Sequence, residues 1–106
     1  MRGPRSSSGA RLGSFSRGLT NVVALTAASD GNIWFVNETD ASTGAGTVGV
    51  LNTADGSLAQ YKLPSGYRLP SSGASIEPGP VGSNTVFFTL QTTVGARAAL
   101  GEVTGI

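Results

Sequence analysis

The segment Ser29-Asp30-Gly31-Asn32-Ile33-Trp34-Phe35-Val36 constrains the fold more than any other stretch of this 106-residue chain. Asp-Gly is a strong signal for a two-residue type I′ hairpin, which needs positive φ at both central positions. Ile33 to Val36 is a short, unbroken run of β-branched and aromatic residues. Such a run reads as a strand covered on both faces. Before the turn, Val23, Leu25 and Ala27 alternate with Ala24 and Thr26, the period of a strand. A polar loop over Asn37–Gly46 follows, and then Val48 and Val50 share one face of a third strand. Asp55-Gly56 supplies a second turn. Leu58 to Leu63 forms a fourth strand, with Ala59, Tyr61 and Leu63 on one face, and Pro64 ends it because proline cannot donate to a ladder. Residues 19–63 thus predict a four-stranded meander.

The pattern recurs. Ser83-Asn84-Thr85-Val86-Phe87-Phe88-Thr89 repeats the turn, β-branched, aromatic, aromatic order at a displacement of 53 residues (Gly31 to Asn84). Leu100-Gly101-Glu102-Val103-Thr104 repeats Val48-Gly49-Val50-Leu51-Asn52 at a displacement of 52 residues (Val48 to Leu100). A period above about 40 residues with four strands per unit points to propeller blades. The expected fold is all-β: a partial β-propeller of about one and three-quarter four-stranded antiparallel blades. The first blade is expected over 19–64 and an incomplete second over 70–106. Two blades would leave apolar outer faces and open edges. A fragment of a longer protein is therefore expected, or self-association, or assembly with further blades.

The run Thr26-Ala27-Ala28-Ser29-Asp30-Gly31-Asn32-Ile33-Trp34-Phe35 resembles the blade consensus of the streptogramin (virginiamycin B) lyase-like propellers. Val48-Gly49-Val50 resembles that family's following apolar-Gly strand. Asp55-Gly56 with Tyr61-Lys62-Leu63-Pro64 resembles its late turn and blade ending. The resemblance covers about residues 19–103 and is weaker in the second unit. It implies a seven-bladed fold in full-length relatives and, in the founding enzymes, magnesium-dependent opening of a cyclic depsipeptide antibiotic with a catalytic His. It also slightly favours an exported or periplasmic bacterial setting. This chain has no His. The family's Thr-Glu after Trp-Phe is replaced by Val36-Asn37, with Glu38 one residue late. In a strand, a one-residue shift moves a side chain to the opposite face.

Catalytic residues are therefore not assigned. A catalytic serine would have no His to activate it. There is no Cys, so disulfides and thiolate metal sites are excluded. No cofactor is expected, magnesium entering only if missing blades supply the family chemistry. Trp34, Phe87 and Phe88 read as core. Glu38 and Glu77 are the candidate binding residues. Glu38 and Asp40, near Ser42 and Thr43, could offer oxygen ligands to a hard cation, although the loop lacks a calcium-loop spacing. Glu77, before Pro78-Gly79-Pro80, could line a channel mouth. Asn37-Glu38-Thr39 has the form of a glycosylation sequon.

Residues 1–18 read as a disordered basic tail, with Arg2, Arg5, Arg11 and Arg17 and no acid. From Gly18 onward three basic residues face six acidic ones. The formal net charge of +1 makes no case for nucleic acid as a partner. No apolar run reaches the roughly 18 residues that span a bilayer. Three functions fit: a blade segment acting as a binding or structural module, a piece of a lyase completed by other blades, or a small β-domain that holds anionic surfaces through its arginine arm. No small-molecule ligand is named by the sequence.

Overall fold

A computed structural model describes residues 12–106. Most of the expected basic tail lies outside the described residues. Eight strands follow in chain order: β1 (Val22–Ala27), β2 (Ile33–Asp40), β3 (Ala45–Leu51), β4 (Leu58–Lys62), β5 (Tyr67–Arg68), β6 (Ile76–Pro78), β7 (Thr85–Thr92) and β8 (Ala98–Thr104). There is no helix among the described residues, hence none long and apolar enough to cross a membrane. The chain is all-β, as its turn-rich sequence predicts.

The strands form two antiparallel sheets, and neither closes on itself. The first is the predicted meander, β1-β2-β3-β4. In the second, β7 is central. β8 pairs along one side of it, and β5 and β6 pair in turn along the other. The second sheet thus has three lanes, and its first lane is broken between Arg68 and Ile76. Pro70 and the Ser71-Ser72-Gly73 run suit a break, because proline lacks the ladder donor and glycine tolerates the turn.

Both Asp-Gly sites are hairpin turns, but neither is the expected two-residue type. At the first, the Gly31 amide donates to the Ala28 carbonyl and the Ala28 amide to the Asn32 carbonyl, both at 3.0 Å. Gly31 has φ 82°, and Asp30 is not left-handed. This is a three-residue loop, a tight turn followed by one left-handed residue, the next commonest hairpin connection. At the second, the Gly56 amide donates to the Asn52 carbonyl at 2.8 Å, with Gly56 at φ 77°. There the loop has four residues, Thr53 to Gly56.

The internal repeat extends to the backbone. Asn84, the counterpart of Gly31, is left-handed at φ 55°. Ala96, the counterpart of Gly44 (φ 73°), is left-handed at φ 50°. Thr53 donates its hydroxyl to the Gly31 carbonyl at 2.8 Å, and at the matching turn the Ile106 amide donates to the Asn84 carbonyl at 3.1 Å. The aromatic–glycine pairs repeat too. Phe35 opposes Gly49 across β2 and β3, and Phe88 opposes Gly101 across β7 and β8. A Cβ at either glycine would come within 2.8 Å of three ring carbons of the facing phenylalanine, too close for any real contact. Glycine in these strand interiors is therefore a requirement of ring packing, not of φ.

The two sheets share one core. Trp34, Val36 and Val48 come from the first sheet and Ile76, Val86, Phe88 and Leu90 from the second, with β6 lying against β1 and β2. Leu69, in the broken lane, plugs the end of this layer, and its amide donates to the Gly44 carbonyl at 2.8 Å. Each large side chain so buried contributes about 1.5–3 kcal/mol.

Two substitutions test this packing. Ala96→Gly should stabilise the protein by about 1 kcal/mol, because a non-glycine residue in the left-handed region is strained. Thermal unfolding should show it as a rise of ~4–8 °C. Gly49→Ala should cost about 1–3 kcal/mol in urea unfolding by overpacking. Phe35→Leu in the same chain should recover part of that loss, since the two sites share one contact.

Candidate functional site

The Asp30–Trp34 turn is a closed hydrogen-bonded unit. The Asp30 carboxylate accepts from the Asn32 amide at 3.0 Å, from Asn32 Nδ2 at 3.3 Å and from Trp34 Nε1 at 2.9 Å. Burial pushes the Asp30 carboxyl up, but these donors outweigh it and hold the group below the ordinary carboxylate range. Trp34 is buried and stacks on Tyr61, with ring centroids 6.2 Å apart and planes 17° apart. Its polar edge and one face are thus both occupied. Trp34 is core, as expected, and offers no platform to a ligand. Phe88 is core as well. Phe87 is half-buried on the opposite face of the second sheet.

The alternation along β2 separates Asn37 from Glu38. Asn37 shares a face with Ile33 and Phe35, whereas Glu38 shares the other with Trp34 and Val36. Glu38 is half-buried, accepts from Asn21 Nδ2 at 3.4 Å, and borders a cleft of about 340 Å³ with Val23, Pro70, Ser71, Ser72, Gly73 and Ala74. No other carboxylate lines that cleft. Asp40 is engaged locally instead, its carboxylate accepting from the Ser42 hydroxyl at 2.7 Å and the Ser42 amide at 2.9 Å. Those two bonds hold the Asp40 carboxyl below its usual range.

Glu77 lies on β6, paired with Phe87. Glu102 pairs with Phe87 from the other side. Both glutamates are exposed on the second sheet's outer face, away from the shared core. Glu38 and Glu77 therefore point to different faces of different sheets and are not brought together. Among the described residues no three acidic, His or Cys side chains gather where a metal could sit. The surfaces at Glu38 and Glu77 can take hydrogen bonds or a positive charge. Neither presents the positioned acid and base that proton transfer requires.

Asn37 is the polar residue whose importance the sequence concealed. It is fully buried at 0% exposure. Its Oδ1 accepts from the amides of Thr20 and Asn21 at 2.9 and 3.0 Å, and its Nδ2 donates to Gln60 Oε1 at 3.1 Å. Gln60 in turn donates Nε2 to the Gly18 carbonyl at 3.0 Å and accepts from the Thr47 hydroxyl. The sequon form of Asn37-Glu38-Thr39 is therefore not presented by the fold, since its amide is enclosed. The available signal was a single Asn at the end of an otherwise apolar, doubly covered run.

This network ties the segment Gly18–Asn21 to the first sheet. Phe15 and Leu19 meet Val22, Leu25, Ile33, Phe35, Leu51 and Leu58 around an apolar cleft of about 220 Å³ on that sheet's outer face. Compared with known proteins, the chain matches no protein-family profile, no curated protein and no solved structure.

The Asp30 unit gives a pH dependence with a definite sign. A carboxyl held low in the folded state stabilises above its unfolded pKa of about 3.9, and that stability is lost as pH falls through the lower folded value. The urea midpoint should therefore drop on acidification below about pH 4. Asp30→Asn should flatten that drop in part, leaving the share carried by Asp40 and Asp55, whose carboxyls are also held low.

Proposed function

We propose that the chain is a pair of consecutive propeller-type blades, a non-catalytic structural or binding module whose sheets stack front to back. The observation that carries this is which faces meet. Under the repeat, Trp34 corresponds to Phe87 and Phe35 to Phe88. Yet the Trp34–Val36 face of the first sheet lies against the Val86–Phe88–Leu90 face of the second. Two repeated units are thus joined by unlike faces, the head-to-tail relation by which blades or other repeats propagate. The resemblance of Asp30–Phe35 and Val48–Val50 to streptogramin lyase-like blades supports the same reading. The lyase chemistry is not proposed for this chain, which has no His and whose candidate carboxylates lie apart.

On this reading, the outer face of the first sheet is suited to another sheet of the first kind. The test is a longer chain in which residues 1–21 are replaced by a second copy of residues 22–66, with Asn37→Leu in the original copy. The added sheet would set its Trp34–Val36 face on Leu25, Phe35 and Leu51. Nearest-neighbour stacking predicts a higher melting temperature than that of the parent chain. An unchanged or lower melting temperature would overturn the blade reading.

A further inference from the structure

The two sheets carry equivalent faces under different cover. Leu25 pairs with Phe35 as Ile76 pairs with Phe88, so Leu25 and Ile76 hold equivalent places. Ile76, beneath a whole sheet, is 3% exposed, whereas Leu25, beside the Phe15–Asn21 segment, is 65% exposed. Phe15 itself is 54% exposed. The segment therefore covers the centre of the first sheet's outer face, where Phe35 is 4% exposed, and leaves its border open.

One further residue differs in the way this cover requires. The counterpart of Asn37 is Leu90, 53 residues on (Asn37 to Leu90), which is 3% exposed in the shared core. Where a sheet covers the position, the residue is apolar. Where a backbone segment with free amides covers it, the residue is an acceptor that takes both amides. An unpartnered buried amide oxygen would cost about 1–3 kcal/mol, so Asn37 favours the segment over an apolar sheet at this position.

We infer that Phe15–Asn21 is a displaceable strap, keyed by Asn37, that gates an apolar sheet-docking surface, and that the partner admitted on its release is the same face of a second copy of this chain. The inference rests on the blade reading of the two faces. A second copy meets the surface with its own Leu25–Phe35–Leu51 face in a two-fold arrangement, where like residues oppose. The remaining sheet face, on the second sheet, is a poorer match. It carries Glu77 and Glu102 around Phe87, and burying two carboxylates against leucine and phenylalanine is unfavourable.

The test uses the full chain with Asn37→Leu, which removes the key and supplies the residue found at the covered counterpart. Sedimentation equilibrium should show dimerisation about ten-fold tighter than in the unaltered chain, equivalent to ~1.4 kcal/mol. Hydrogen exchange at the Thr20 and Asn21 amides should accelerate in the same variant. Adding Leu25→Lys should return it to the unaltered chain's mass. Phe15→Ser with Leu19→Ser, which loosens the strap without touching the sheet, should give the same dimer if Asn37→Leu does not fold. The inference is overturned if the amides are released and the mass does not change, or if the dimer survives Leu25→Lys. Should the extended chain with its added sheet still gain stability, only the strap inference has failed. If that chain gains nothing, the blade reading has failed with it.

Discussion

The described fold is arranged around the centre of β2, where Trp34 to Asn37 are buried on both faces. A strand covered on both sides must find apolar or fully bonded partners for each side chain in turn. Trp34 and Val36 obtain theirs from the second sheet, and Phe35 obtains its own from Gly49, Leu25 and the strap. Asn37 continues the row of Phe35 and is satisfied by backbone amides and Gln60. The second sheet and the strap are the two covers that this one strand demands.

The glycines facing the phenylalanines show how tightly that demand is met. A ring lying across the opposing backbone excludes water from a ladder that glycine would otherwise expose. Because this arrangement occurs at Phe35–Gly49 and at Phe88–Gly101, it belongs to the repeating unit. The second unit sets a broken first lane beside a continuous central pair. Its central pair, β7 and β8, is matched over seven positions, from Thr85 with Thr104 to Gln91 with Ala98. The short β5 and β6 then need only close the other edge.

Much of this was legible because it is local. Alternation and the Ile33–Val36 run placed the strands of the first sheet, and the displacement of about 53 residues (Gly31 to Asn84) placed β7 and β8. The turn type was not legible, because Asp-Gly serves a three- or four-residue loop as well as a two-residue one, and only the pairing of Ala28 with Asn32 decides. The break in the second sheet's first lane escaped for a related reason. Residues 67–78 carry too few apolar positions to show a period. Of the candidate site, Glu38 and Glu77 were readable as isolated acids, but their separation onto different sheets depends on packing. Asn37 was readable as a departure from a motif and as a sequon, whereas its function lies in contacts 16 and 17 residues away in the chain.

The equivalence of Asn37 and Leu90 bears on how each outer face meets solvent. Sheets that stack keep apolar residues on the faces that meet, and a face without a sheet over it is altered. The two outer faces do this differently. On the second sheet, Glu77 and Glu102 stand across the strands from Phe87 and make that face tolerable to water. On the first sheet the apolar row is kept, and one Asn at its end recruits a strap to lie over it. A charged face opposes stacking, because exposing it costs little and burying it is unfavourable. A strapped face opposes it conditionally, since the apolar surface remains beneath and the strap's own contacts cover it.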